Sequence, residues 1–351
     1  MAGLRQFFYD RYRDIEIAEH QLLYLFLEVT RACNLSCRHC GSDCGSEDRI
    51  PILTLRNWRS IVDHVSARFP SDLLFVVTGG EPLVWPHLVE LGRRIRLNRR
   101  RWGMVTNGFA LDREMLVNLM AAEISSITIS LDGKEDAHNH LRNNSHAYAR
   151  ALHAIELVGK SGIPFRDVVT CVFPKNLDSL AQIADLVLEA GIPNWRLFRI
   201  FPQGRARNNP DLLLSRAQSW RMVEWIRENR RRYAKAGLRI NFSCEGWFPF
   251  RLDRSIRSEP FFCRSGVNIA SILCDGTVTG CANNGPAFVQ GNALRDDFAL
   301  TWDKGFEKLR NRDWMRNGLC ADCRHFAHCR GGSVHLWDDA KRSPSFCYIR
   351  E

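Results

Sequence analysis

Short apolar runs alternate with longer amphipathic stretches between residues 24 and 202. The runs at 24–30, 73–77, 103–106, 125–130, 168–173 and 195–201 are rich in β-branched and aromatic residues, the pattern of buried strands. Between them, 55–69, 112–122, 147–159 and 180–190 carry apolar residues at helical spacing. Six strand–helix units in series predict an α/β fold, with a parallel sheet curved into a partial (β/α)6 barrel of the TIM type. Such barrels gather their chemistry at the carboxyl ends of the strands.

The flanks have a different character. Residues 1–22 mix aromatic and charged side chains and predict an N-terminal extension, a short helix lying against the barrel. The barrel itself is expected over 23–206, followed by a helical bridge over 207–243 that ends in a strand at 238–242. From 244 to 351 short runs and turns take over, and seven of the 13 cysteines fall between Cys263 and Cys347. So short a region needs staples or metals to hold a core.

The first strand ends in Cys33-Asn-Leu-Ser-Cys37-Arg-His-Cys40. Three thiolates on one loop can hold three irons of a cubane and leave the fourth open, and soft sulfur ligands favour Fe–S clusters or zinc. A zinc knuckle completed by His39 or Cys44 is the alternative. The motif resembles the CxxxCxxC signature of the radical S-adenosylmethionine (SAM) enzymes. The resemblance implies a [4Fe-4S] cluster on Cys33, Cys37 and Cys40 that binds SAM and splits it to a 5′-deoxyadenosyl radical. It also places His39 where the family usually carries an aromatic residue beside the adenine.

Later strand ends fit the same picture. After the second strand stands Thr78-Gly79-Gly80-Glu81-Pro82, where glycines let backbone approach a ligand and a carboxylate can accept from an ammonium. It resembles the family's GGEP motif, which holds the SAM amino group. The third strand ends at Thr106-Asn107-Gly108 and the fourth at Ser130-Leu-Asp132-Gly133, with Arg142 following. By similarity, Asn107 belongs to the cofactor site, Ser130 and Asp132 lie near the SAM ribose or carboxylate, and Arg142 pairs with the carboxylate. A common turn at Asp132-Gly133 and a helix-capping Arg142 are the plainer alternatives. On the sixth strand Arg196 and Arg199 are expected to point to one face, toward an anion inside the barrel or a salt bridge outside it.

The C-terminal cysteines carry two patterns, Cys263-x12-Gly276-x4-Cys281 and Cys320-x2-Cys323-x5-Cys329 with Cys347 beyond. Together they resemble the SPASM/twitch extension of peptide-modifying radical SAM enzymes, which implies one or two auxiliary Fe–S clusters. Cys320, Cys323, Cys329 and Cys347 would hold one of them, a four-cysteine zinc site being the alternative. For the other, Ser333 stands where the family has cysteine. Cys263 and Cys281 remain, with Cys244 or Cys274 as a third ligand. If Asp275-Gly276 is a two-residue hairpin turn, Cys274 sits about 13 Å from Cys281 along the strand, which favours Cys244. Cys171 is expected to be a core residue, and Cys44 a reactive thiol beside the first cluster.

Composition narrows the class. With 351 residues, 45% of them apolar, the chain can bury a large core. The net charge of +10 comes from arginine clusters at 93–101 and 227–232. Both lie in helical patterns that read as solvated faces, so nucleic-acid binding is not expected. No apolar run reaches the roughly 18 residues of a membrane span. Thirteen cysteines without a signal core are expected in a cytoplasmic, metal-binding protein.

The whole pattern predicts a radical SAM/SPASM oxidoreductase that abstracts hydrogen from a peptide or protein. Phe8-Tyr-Asp-Arg-Tyr-Arg13, His39-Cys-Gly-Ser-Asp-Cys44, Trp102-Gly-Met-Val-Thr-Asn-Gly108 and Ala270-Ser-x3-Asp-Gly-Thr277 resemble the subgroup associated with short lipoproteins, which implies such a substrate. Flavodoxin or ferredoxin is the expected electron donor, and a separate leader-binding protein the expected aid to substrate capture. Glu245, Asp275 and Asn283 are candidate catalytic residues near the auxiliary cysteines. A small-molecule or RNA-modifying radical SAM enzyme and a non-catalytic Fe–S electron carrier are the rival readings.

Overall fold

A strand covered by helices on one face and packed into a barrel on the other needs apolar residues in nearly every position. The first strand, β1 (Tyr24–Glu28), meets this with Leu25 and Leu27 fully buried. The computed structural model describes residues 2–45 and 50–350. An 18-residue helix, α1 (Ala2–Glu19), precedes β1. Then follow α2 (Leu55–Arg68), β2 (Leu74–Thr78), α3 (Leu88–Leu97), β3 (Arg101–Thr106), α4 (Arg113–Ala121) and β4 (Ser126–Ser130). Next come α5 (Glu135–Arg142), α6 (Ala147–Gly159), β5 (Phe165–Val172), α7 (Leu180–Glu189) and β6 (Asn194–Arg199). Strands β1 to β6 pair in chain order and all run parallel, as the alternating pattern predicts. Helix starts carry their caps: Thr54 and Asn57 form a capping box on α2, and Asp112 accepts from Met115 N on α4.

The sheet extends beyond the six predicted strands. After α8 (Arg216–Ala236), strand β7 (Arg239–Phe242) joins β6 in parallel. After α9 (Phe250–Ile256), strand β8 (Ile269–Ile272) pairs in parallel with β1 on its other edge. Strands β9 (Thr277–Thr279) and β10 (Val289–Asn292) continue antiparallel beyond β8. β7 is the strand expected at 238–242, whereas the four-residue β8, interrupted by Ser271, leaves no periodicity that names a partner, so the pattern hid the continuation on that side.

Two local expectations are corrected. The turn after β8 is longer than two residues: Leu273 N donates to Thr277 O, leaving Cys274, Asp275 and Gly276 in the loop, with Gly276 at φ +87°. Cys274 is therefore not on the strand with Cys281; it is buried beside Glu28. Helix α1 fastens to the C-terminal region. Tyr9 Oη donates to Pro260 O at 2.9 Å, Arg13 Nη1 to His328 O at 2.5 Å, and Arg330 Nη2 to Asp14 Oδ1 at 2.9 Å.

One apolar core runs from Leu25, Trp58, Trp102 and Trp195 through to Phe298, Trp302, Phe306 and Tyr348. Among the described residues, no helix is long and apolar enough to cross a membrane.

Candidate metal centre and cofactor site

The carboxyl ends of β1 to β4 meet around a cavity of about 130 Å³. Its walls include Cys33, Cys37 and Cys40, then Gly79, Gly80 and Glu81 after β2, Asn107 after β3, and Ser130 with Arg142 after β4. The spacing motifs thus converge on one place. His39 and Cys44 also line it. Pro82 instead starts a short buried 3-10 turn, and Asp132 stands behind Arg142.

The cysteine sulfurs face N–H donors. Leu35 N lies 3.5 Å and Asn107 Nδ2 3.8 Å from Cys33 Sγ, and Arg142 Nη1 lies 3.7 Å from Cys37 Sγ. Such donors favour a thiolate, the form that binds metal. Burial pushes the Cys33 thiol up to about 11 and Cys37 in the same direction, so without a metal both hold their protons. Cys40 moves the other way, to about 5, because the Cys44 thiol hydrogen-bonds its sulfur. Soft donors with N–H groups aimed at them fit an iron–sulfur cluster. Among the described residues, no three His, Cys, Asp or Glu side chains converge as the ligands of one metal ion would.

Glu81 is buried and held on three sides. Oε1 accepts from Thr106 Oγ1 at 2.7 Å and Leu83 N at 3.0 Å, and Oε2 accepts from Asn107 N at 2.7 Å. Burial still raises its carboxyl above the ordinary range. Two glycines make room for this loop: a Cβ on Gly80 would sit 2.2 Å from Ala32 O, and one on Gly79 2.3 Å from Thr30 O. Arg142 is held by Asp132, with Nε 2.7 Å and Nη2 2.6 Å from Oδ2. Asp132 also accepts from Cys171 N at 2.8 Å. Burial pushes the Asp132 carboxyl up, but the Arg142 guanidinium beside it outweighs this and holds it below the usual range.

Sequence reasoning left Gly204 and Arg205 without a role. Arg205 bolts the cysteine loop: its N donates to Cys40 O at 2.9 Å, Nε to Cys37 O at 2.7 Å, and Nη1 to Asp43 Oδ1 and Cys44 O at 2.8 Å each. A Gly-Arg pair just past the sixth strand was the available signal. Arg196 and Arg199, three apart on a strand, do not share a partner or a face. Arg196 Nε reaches Asp167 Oδ2 at 2.7 Å, while Arg199 grips Glu245 with two bonds of 2.6 and 2.7 Å.

The C-terminal cysteines form two groups. Cys323 and Cys347 lie close enough to Cys320 and Cys329 to add to the rise of those two thiols. Burial raises Cys320 to about 11 and Cys329 to about 12, and Cys347 Sγ accepts from Ile349 N and Arg350 N at 3.4 Å each. Cys244, Cys263 and Cys281 line a second cavity of about 600 Å³, bounded by α1, β1, β6, β7 and β8. Cys244 is exposed to this cavity, and burial raises the thiol of Cys281 to about 11, with Cys263 adding to the rise. Ser333 is buried, and its Oγ donates to Cys244 O at 2.7 Å.

The three candidate catalytic residues do not meet. Glu245 is fully buried, locked to Arg199, with Tyr348 Oη 3.3 Å away. Asp275 is exposed in the hairpin turn, where Oδ1 accepts from Thr277 N. Asn283 lies against Gly41 of the cysteine loop, its Oδ1 3.9 Å from where a Cβ would stand. Cys171 is half-buried at the end of β5, its thiol pushed up by burial.

Two segments of the chain match known family models. Residues 27–187 match the radical SAM superfamily, and residues 263–324 match SPASM, an iron–sulfur cluster-binding domain. Both segments fall inside the barrel and C-terminal regions outlined from the sequence. The AdoMet-dependent heme synthase of Methanosarcina barkeri is 25% identical over 92% of this chain and 95% of its own length. The mycofactocin maturase MftC of Mycolicibacterium smegmatis is 26% identical over 88% of this chain and 76% of its own. Among solved structures, SuiB of Streptococcus suis bound to S-adenosylmethionine superposes with a TM-score of 0.72 at 17% identity, covering 96% of this chain and 79% of that one. anSMEcpe with bound AdoMet gives 0.71 at 17% identity, covering 93% of each chain.

Proposed function

We propose that this chain, a radical SAM enzyme that carries a SPASM domain, abstracts hydrogen from a peptide substrate. The observation that carries the radical SAM reading to particular residues is the single 130 Å³ cavity that joins the three cysteines to Glu81 and Arg142. A [4Fe-4S] cluster held there by Cys33, Cys37 and Cys40 would supply the electron that splits the SAM sulfonium and releases the 5′-deoxyadenosyl radical.

The remaining work falls to the chain. A carboxylate offers about four lone-pair sites, and Glu81 uses three on its own backbone and Thr106. The fourth would accept from the SAM ammonium. Arg142, aimed by Asp132, would meet the SAM carboxylate while its Nη1 steadies the sulfur of Cys37. His39, kept neutral by burial that lowers it to about 4, would offer the adenine a flat uncharged face. Cys320, Cys323, Cys329 and Cys347 would hold one auxiliary cluster, and Cys244, Cys263 and Cys281 another.

For the substrate, the maturase relatives support a peptide and the heme synthase relatives a tetrapyrrole. The wall of the 600 Å³ cavity favours the peptide. Its three arginines each lie within 3.4 Å of a carboxylate, Arg196 of Asp167, Arg257 of Asp253 and Arg264 of Glu16 and Glu259, with Arg257 Nε and Nη1 making no hydrogen bond. The propionates of a tetrapyrrole would need free cations there.

The test is anaerobic purification with iron, sulfide and zinc analysis, followed by dithionite-driven turnover of SAM. About eight to twelve irons per chain are expected, four per cubane, together with 5′-deoxyadenosine. Cluster without cleavage would leave an electron carrier. For the substrate, small peptides from cells grown in heavy water should pass deuterium into 5′-deoxyadenosine until they are digested with peptidase. Transfer from a deuterated iron–porphyrin instead would establish the tetrapyrrole reading.

A further inference from the structure

The cavity that gathers Cys244, Cys263 and Cys281 also holds a polar atom without a partner. His335 lines that cavity and is only 7% exposed, and its Nε2 makes no hydrogen bond. Buried side-chain nitrogens are ordinarily paired, so an orphan one on a residue that lines the same cavity as three thiols calls for a ligand. The residue is held in place: the ring centroids of His335 and Phe201 lie 4.2 Å apart with the planes tilted by 53°, and Gln203 Nε2 donates to the His335 backbone O at 2.6 Å. Residue 335 sits in the short turn Val334–Leu336, directly after Ser333.

Ser333 itself is poorly placed to ligate. Its hydroxyl proton is committed to Cys244 O, and a hydroxyl is a hard donor beside soft thiolates. That bond has a different effect: it ties the turn carrying His335 to the backbone of Cys244. Imidazole nitrogen, by contrast, is an established ligand of iron in mixed cysteine–histidine clusters.

We propose that His335 Nε2 is the fourth protein ligand of the first auxiliary cluster, completing Cys244, Cys263 and Cys281. The inference rests on the reading that those three thiols hold an Fe–S cluster. It closes a site that three thiolates alone would leave open, so substrate would not bind that cluster through iron. A neutral ligand in place of a thiolate also makes the cluster one charge less negative, which raises its reduction potential.

The test uses the full chain, purified anaerobically without SAM, labelled with ¹⁵N-histidine and reduced with dithionite. Pulsed EPR should show a strongly coupled nitrogen that switches between ¹⁴N and ¹⁵N with the label. His335→Ala and His335→Cys should both lose it, while His335→Cys keeps the wild-type iron and sulfide and shifts that cluster to lower potential. Coupling that survives in His335→Ala would overturn the proposal. So would its absence from the wild type, if Cys281→Ser still costs the chain about four irons. If Cys281→Ser leaves iron, sulfide and spectrum unchanged, the cluster reading of this site falls, and the histidine ligand falls with it.

Discussion

Asp132 can hold Arg142 in place because His138 stays neutral. Asp132 N donates to His138 Nδ1 at 2.9 Å, and that nitrogen can accept only when unprotonated. Burial lowers the His138 pKa to about 4 against 6.5 for the free side chain. A depressed pKa means the unfolded chain binds the proton more readily, so this stabilisation is complete above pH 6.5 and is lost as pH falls toward 4. Between pH 7 and pH 5 the loss is about 2 kcal/mol, since each tenfold difference in proton affinity is worth about 1.36 kcal/mol. His138→Asn keeps an acceptor near Nδ1 but cannot titrate. In guanidinium unfolding of the metal-free, reduced protein, wild type should lose about 2 kcal/mol more than His138→Asn over this interval. Equal losses would remove His138 from the account. That Cys33, Cys37, Cys40, Gly79-Gly80-Glu81 and Arg142 belong together was legible because the chemistry proposed for them would dictate residue type and spacing. His138 and His335 were not, since each acts through one backbone or cavity contact that no local pattern records.

At the scale of elements, the loops after the strands are fitted to one another more tightly than the strands themselves. Gly204 follows β6 at φ +52°, and a Cβ there would lie 2.3 Å from Cys40 O and 2.4 Å from Gly41 O. Alanine must therefore push the cysteine loop away from Arg205, whose bonds to Cys37, Asp43 and Cys44 depend on that approach. Gly204→Ala should cost about 1–3 kcal/mol and lower the iron retained per chain. Gly285→Ala, with nothing within 4 Å of its Cβ, should change neither the melting temperature nor the iron content. If both variants retain full iron, the loop does not depend on this contact. The strands themselves were legible to within a few residues, since a buried parallel strand is a run of apolar side chains. The exceptions follow from buried polar groups. β5 begins at Phe165 rather than 168 because the buried Asp167 pairs through Oδ2 with Arg196 and Thr128, a pairing that hydropathy cannot anticipate.

At the scale of the molecule, the change in composition near residue 244 reads as a domain boundary, and the packing does not respect it. Strand β8 supplies one of the two neighbours of β1, in register from Tyr24 opposite Ile269 to Leu27 opposite Ile272. Leu53 N donates to Cys274 O, and Trp302 Nε1 donates to His20 O. The C-terminal region is thus built into the edge of the barrel, and the cysteine-bearing loops of both regions are positioned by one sheet. A chain ending at residue 243 would leave β1 with an unpaired edge and uncover the apolar residues that Phe298, Trp302 and Phe306 pack against. Unpaired edges and exposed core surface favour aggregation. Residues 1–243 alone should accumulate in the insoluble fraction, or in solution bind a hydrophobic dye and lack near-ultraviolet circular dichroism. A soluble fragment that unfolds cooperatively and binds about four irons would instead make the barrel autonomous, and the composition break a true boundary. The distinction matters for function, because a shared sheet fixes the distance between the loop of Cys33, Cys37 and Cys40 and the C-terminal thiols. An electron or a substrate passing between them would then meet a rigid frame.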